Sequence, residues 1–148
     1  MTHLRTTIRQ TFRDVLESAL SPEEYVVVGT RTSKRNRTDE SVIDVRFTEI
    51  DVSQNSMGDD RTHMGTLMIR VYRSGDEAVI DELLDLDEAR VTGAVYNYDW
   101  SQLLEDEPEL KRISFEREDT TDETVGVLVL QFSVEYRINR LNPNLMRS

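Results

Sequence analysis

The sequence contains no cysteine, which excludes disulfide bonds, thiolate metal sites and cysteine nucleophiles. It has only two histidines, His3 and His63, and no serine nucleophile elbow, phosphate-binding glycine loop or dinucleotide fingerprint. No apolar run approaches the roughly 18 residues that a membrane span needs. The first ten residues also lack the apolar centre of a secretory signal. We therefore expect no enzyme, no cofactor, no metal site and no membrane contact, in a protein made and kept in the cytoplasm.

Lysine is almost absent as well. Two of the 18 basic residues are lysines, Lys34 and Lys111, while 29 acidic residues bring the formal net charge to -11. Strong acidity with little lysine is typical of proteins from cytoplasms that hold molar salt. There the Debye length is about 3 Å, so repulsion between surface carboxylates is largely screened. The composition therefore predicts a halophilic host. In such a host the acidic surface keeps the protein soluble and does not by itself indicate a partner.

The charge is unevenly distributed along the chain. Residues 1–37 have a balance of +3, residues 38–123 of -16, and residues 124–148 of +2. The basic side chains Arg31, Lys34, Arg35 and Arg37 lie in one polar segment and oppose the charge of the whole chain. We predict that this segment is an exposed loop that faces a partner, the alternative being a solvated loop balanced by its own acids. Nucleic acid is the weaker partner, because counterion release contributes little affinity in molar salt.

Acidic clusters offer two further candidate sites. His63 follows Asp59 and Asp60, so a site for a metal held by carboxylate and imidazole groups is conceivable, although a solvated acidic loop is the better interpretation. The run at 105–107 could hold a carboxylate pair for acid–base work. In so acidic a chain such pairs have little specificity, and we interpret them as surface.

Apolar periodicity predicts two helices and a set of strands. The predicted order is helix 3–20, strand 25–28, loop about 29–41, strand 42–52, loop 53–65, strand 66–73, a helix from 76 that ends between 86 and 93, a possible strand 91–98, a short turn near 100–108, and a hairpin of strands 112–118 and 125–138. This order predicts an α+β fold. Its mostly antiparallel, mixed sheet has four to six strands, with two helices packed on one face. The length of 148 residues favours one domain, 1–148, ending in a basic tail at 137–148.

Four residues are candidates for contacts between subunits. Trp100 is the only tryptophan and is either a core residue or an interface anchor. Tyr136 ends the longest apolar alternation in the chain, and Arg137 and Arg140 begin the basic tail.

The order of elements resembles the tail terminator, or tail completion, proteins of long-tailed viruses. The resemblance lies in four segments: the opening helix TTIRQTFRDVLESAL with its valine-rich strand, the strand-to-helix unit GTLMIRVYRSGDEAVIDELLDL, the segment LDLDEARVTGAVYNYDW, and the closing strand VLVLQFSVEYRIN. It covers nearly the whole chain as pattern and order rather than as an exact motif.

The resemblance implies a non-enzymatic virion protein of the tail and neck, assembled in the host cytoplasm. Such a protein forms a homo-oligomeric ring, usually a hexamer, that stops growth of the tail tube and joins it to the head connector. DNA would pass through the channel without sequence-specific binding, and the basic segment 31–37 would be a partner-facing arm. Alternatives are a head-completion or connector protein, a tail-tube subunit, a small cytoplasmic binding module, or an enzyme with two carboxylates in a dry cleft. Long loops and unprotected strand edges favour assembly over a monomeric module.

Overall fold

The computed structural model describes residues 3–28, 41–54, 60–119 and 124–139. These residues form two helices and five strands: α1 Leu4–Ala19, β1 Tyr25–Val28, β2 Ser41–Gln54, β3 Asp60–Gly75, α2 Glu77–Tyr96, β4 Glu109–Asp119 and β5 Thr124–Asn139. The strands form one sheet in the order β1-β2-β3-β5-β4. Only the β1–β2 pair is parallel. The predicted α+β fold with a mixed sheet is confirmed.

Both helices cover the same face of the sheet, which we call the helix face. The helix α1 packs on β1 and β2, and α2 packs on β3 and β5. One apolar core joins buried side chains of both helices to alternate residues of the central strands, such as Ile69 and its partner Leu130. The opposite face, which we call the open face, carries a smaller cluster of Val125, Val127 and Val129. Because cross-strand partners point to the same side of a sheet, the pairing register assigns every strand residue to one of these faces.

The helix α1 is amphipathic, as its sequence predicts. Its buried residues recur at three- and four-residue steps: Leu4, Ile8, Phe12, Val15 and Leu16. At its N-terminus the Nδ1 atom of His3 accepts a hydrogen bond from the backbone N–H of Arg5 at 3.0 Å. The helix ends before Ser21-Pro22, because a residue that precedes proline is disfavoured in the α conformation.

The helix α2 is longer than the sequence indicated. It runs to Tyr96, so the predicted end between residues 86 and 93 and the possible strand 91–98 are both wrong. The buried residues Val91, Ala94 and Val95 follow helical spacing, and Gly93 lies inside the helix without breaking it. Packing of this stripe on the sheet outweighs the unfavourable helix propensity of one glycine, which costs about 1 kcal/mol.

The predicted loop 53–65 is largely strand. Pairing between β2 and β3 continues to Gln54 and Arg61, so residues 53–54 and 60–65 are strand, while residues 55–59 lie outside the described part of the chain. A β-bulge between Phe47 and Glu49 shifts the alternation of side chains along β2 by one residue, so that Phe47 and Ile50 both lie on the helix face. Both side chains approach Gly65, where an added Cβ would lie 2.8 Å from the ring of Phe47. The polar composition of this segment suggested a loop, but pairing of β3 with β2 on one side and with β5 on the other keeps residues 60–65 extended.

Candidate interaction surfaces

The basic segment singled out in the sequence cannot be placed. Arg31, Lys34, Arg35 and Arg37 lie outside the described residues, as does Arg140. Their partner-facing role therefore stays a prediction.

Trp100 lies in the core and not on the surface. Its side chain is buried, its ring stacks on Phe12 with centroids 4.2 Å apart, and its Nε1–H donates to the backbone oxygen of Val95 at 2.8 Å. The turn that follows is the predicted one, with the N–H of Leu104 bonded to the oxygen of Trp100. Of the two interpretations of this tryptophan, the core role is the one that its packing supports.

Tyr136 is also buried, on the helix face. Its ring packs near Phe47, and its hydroxyl lies 3.3 Å from Nδ1 of His63. Burial raises the pKa of the Tyr136 hydroxyl and lowers the pKa of His63. His63 is thus a partly buried strand residue packed on an aromatic ring, which corrects its assignment to a solvated loop. Across the described part of the chain, no group of three or more potential metal ligands comes together.

Arg137 points to the open face, as expected from its alternation with Tyr136. Its Nε lies 3.6 Å from Oε1 of Glu105, in the segment between α2 and β4, and both side chains are partly exposed. The backbone N–H of Glu105 also donates to the oxygen of Glu135 on β5. Two of the four interface candidates, Trp100 and Tyr136, are therefore core residues, and Arg137 is engaged within the chain.

A buried polar network was missed in the sequence. Arg73 on β3 donates from Nε and Nη2 to the two carboxylate oxygens of Asp87 on α2, at 2.7 and 2.8 Å. Tyr25 on β1 donates its hydroxyl to Oδ1 of the same carboxylate at 2.5 Å. Arg90 donates to that hydroxyl at 2.9 Å, and Glu24 accepts from both arginines. The network joins the short strand β1 to the rest of the fold.

The electrostatics of this network follow from burial and pairing. Burial and the hydrogen bond to Asp87 raise the pKa of Tyr25 to about 12. Burial alone would lower the pKa of Arg73, but Asp87 raises it above its usual value. Burial likewise opposes ionisation of Glu24, yet its hydrogen bonds to Arg73 and Arg90 bring its pKa below the usual value. These shifts favour the charged forms of Arg73 and Glu24 and the neutral, hydrogen-bonded form of Tyr25, so the network is suited to holding β1 in place.

The signal for this network was present in the sequence. Asp87 falls in the buried stripe of α2, at helical spacing from Leu84 and Val91. An acid on an apolar helix face requires a buried cationic partner. The sequence could therefore have predicted an ion pair, although not which arginine supplies it.

The two edges of the sheet are the most accessible candidate surface. Within the described residues, β1 and β4 each pair with a neighbour on one side only. On β4, Ile113 and Phe115 lie on the helix face beyond the cover of α2, and Phe115 is 53 % exposed. Large exposed apolar side chains on an unpaired strand are typical of a strand that pairs with another chain.

A recess borders β1, the strand at the opposite edge of the sheet. It has a volume of about 270 Å³ and is lined by Leu16, Glu17, Leu20, Pro22, Tyr25, Val26 and Val27. A wider groove of about 490 Å³ runs between the two helices and is lined by side chains such as Val15, Ala19, Ala94 and Tyr98.

None of the described helices is both long and apolar enough to cross a bilayer.

Comparison with known proteins gives the fold a family. Residues 3–136, which include both helices and nearly all of the sheet, match the phage minor tail protein U family. No curated protein sequence matches the chain at a significant level. The family match covers far more than half of the 148 residues. The chain therefore belongs to the phage minor tail protein U family and has a structural role in the tail of the virion.

Proposed function

We propose that the chain is a tail terminator: it forms a ring, in our view a hexamer, on the head-proximal end of the tail tube. The ring stops further addition of tube subunits and presents its other surface to the head connector. The observation that carries this proposal comes from the described residues of this tail protein family member, in which each edge strand of the sheet pairs on one side only. An open edge is a liability in a monomer, and pairing with neighbouring copies removes it.

The distribution of charge supports passage of DNA without binding. Exposed acids are concentrated on α2: Glu77, Asp81, Glu82, Asp85. The open face carries twice as many acids as arginines: Asp44, Glu49, Asp51, Asp60, Glu109, Glu116, Glu118 and Glu135 against Arg46, Arg70, Arg112 and Arg137. A ring whose sheets line the channel would therefore present no basic surface to phosphates. Its wall would be predominantly acidic, in line with the acidic centre of the sequence.

Assembly in molar salt is part of the proposal. Ion pairs at a surface are screened there, whereas apolar burial is not weakened by salt. Contacts between subunits should accordingly rely on side chains such as Phe115. The loop residues 31–37 remain candidates for contact with the tube or the connector.

The first test is the absolute mass of the protein by light scattering on a sizing column, at low and at molar salt, with and without tail-tube protein. A discrete species of about 103 kDa corresponds to six chains of 17.2 kDa. Electron microscopy should then show rings at one end of each tube, and tube growth should stop when the protein is added. A protein that polymerises by itself would be a tube subunit. A monomer that ignores tube protein would contradict the proposal and favour a binding module that uses the groove between the helices.

A further inference from the structure

The two edge strands of the sheet, β4 and β1, have residues that lie in the same rows across the sheet. On the helix face, Phe115 of β4 begins a row of paired residues that crosses Leu128, Val71 and Ile43 and ends at Val27 of β1. On the open face, the neighbouring row runs from Glu116 to Val26 in the same way. The exposed phenyl ring of one edge therefore stands level with the recess of the other.

The strand directions favour a cyclic assembly. Because β1 is parallel to β2 and each later neighbour in the sheet is antiparallel, β1 and β4 run in opposite directions. When copies stand side by side in the same orientation, β4 of one therefore meets β1 of the next as an antiparallel pair, which is the more stable arrangement. All helices then lie on one side of the joint and all open faces on the other. Such a head-to-tail contact closes into a ring when its rotation permits.

Charge does not select this contact. Strand β4 carries three basic and four acidic side chains, and residues 17–28 carry three acidic and no basic ones, so neither edge is net positive. Molar salt screens the repulsion between them, which leaves strand direction and the apolar contact of Phe115 to define the joint.

We propose that β4 of each copy pairs antiparallel with β1 of a second copy of this chain, with Phe115 seated in the recess lined by Leu20, Pro22 and Val27. The inference rests on the proposed ring function, and it specifies which surfaces form the joint and in which register. Apolar contact of Phe115 supplies the affinity in salt, and the opposite directions of β4 and β1 allow their antiparallel pairing.

Disulfide trapping tests the register, because the natural chain has no cysteine. The pair Val26→Cys and Glu116→Cys lies directly across the proposed joint. Within one chain the two positions are four strand spacings apart, about 19 Å, far beyond the roughly 7 Å that a disulfide can bridge. Oxidation of the double variant in molar salt, with tube protein present, should give a ladder of covalent oligomers on a non-reducing gel. A mixture of the two single variants should give only dimers.

The outcomes separate this inference from the proposed function. A ring by light scattering with no crosslink for this pair, nor for the pairs shifted by two residues (Ser114→Cys with Val26→Cys, or Glu116→Cys with Val28→Cys), would overturn the joint and leave the ring function standing. Crosslinking of the Glu116→Cys variant alone would show that β4 pairs with itself, which also overturns the joint. Absence of any oligomer with or without tube protein would contradict both.

A surface substitution gives an independent test. Phe115→Glu should weaken ring formation about tenfold or more, because it removes the apolar contact and places an acid opposite an acidic edge. Leu86→Glu is the matched control, since Leu86 is 42 % exposed on α2, away from the sheet edges. Circular dichroism should show that both variants keep the fold. Equal weakening by both variants, or by neither, would refute the assignment of Phe115 to the joint.

Discussion

Replacement of Asp87 by alanine tests the buried network most directly. The carboxylate is fully buried and holds the Arg73 guanidinium through two hydrogen bonds, at 2.7 and 2.8 Å. Removing one partner of a buried ion pair leaves an uncompensated charge and costs about 3–5 kcal/mol. Glu24 stays 3.0 Å from Arg73 and offsets part of this loss, so we expect a cost near the lower end. In a chain of this size, about 3 kcal/mol corresponds to a decrease in Tm of roughly 6–12 °C.

The assay is urea unfolding followed by circular dichroism, at low and at molar salt. Arg117→Ala is the matched control, because Arg117 forms ion pairs with Glu77 and Asp81 at 3.0 and 2.7 Å on the surface. The exposed pairs should contribute at most about 1 kcal/mol and lose that contribution in molar salt. The cost of Asp87→Ala should change little with salt, because its partners are shielded from solvent.

Two results would refute this reasoning. A cost below about 1 kcal/mol for Asp87→Ala would mean that Arg73 finds water or another partner once the carboxylate is gone. A strong decrease of the cost in molar salt would mean that the pair is solvated.

The double variant Arg73→Met with Asp87→Leu should regain most of the stability lost in Asp87→Ala, because no unpaired charge remains in the core.

Three further predictions follow from packing and titration. Gly126→Ala should destabilise the fold by about 1–3 kcal/mol in urea unfolding, because the added Cβ would lie 2.5 Å from Cγ2 of Ile80. Trp100→Ala should cost about 3–5 kcal/mol in the same assay through loss of its stack on Phe12, and an unchanged stability would contradict its core role. Glu24 has a lowered pKa in the folded state, so its contribution is complete above its unfolded pKa of about 4.5 and is lost as the pH falls through the folded pKa. The difference in stability between wild type and Glu24→Gln should therefore shrink on acidification below that value, and a difference independent of pH would contradict the assignment.

Prediction from sequence succeeded where one local pattern determines an element. The first helix, most of β2, the second half of β3 and the closing hairpin were all predicted, because three- and four-residue or alternating apolar spacing is a property of the segment itself. It failed where packing overrides local preference. The sequence suggested an end of α2 between residues 86 and 93, and polar composition suggested a loop at 53–65, but contacts with other elements maintain both the longer helix and the longer strands.

The candidate interface residues show the same division between what the sequence predicts and what only the fold decides. Trp100 and Tyr136 were notable in the sequence for size and position, yet only the three-dimensional arrangement shows that both are buried. Phe115 attracted no attention in the sequence, because an aromatic residue that alternates with polar ones is equally suited to a core. It becomes exposed only because β4 is an edge strand that α2 does not cover.

The sequence by itself determined the acidic, lysine-poor character of the protein, the amphipathic first helix and the α+β class, since each depends on residue identity and short-range spacing. The tertiary structure decided which strands are edges, that the edges run in opposite directions, and that Phe115 and Val27 end the same row of the sheet. It also joined Arg73 to Asp87 across two elements. These properties depend on contacts between residues distant in the chain, and local spacing carries no information about which distant strands will pair.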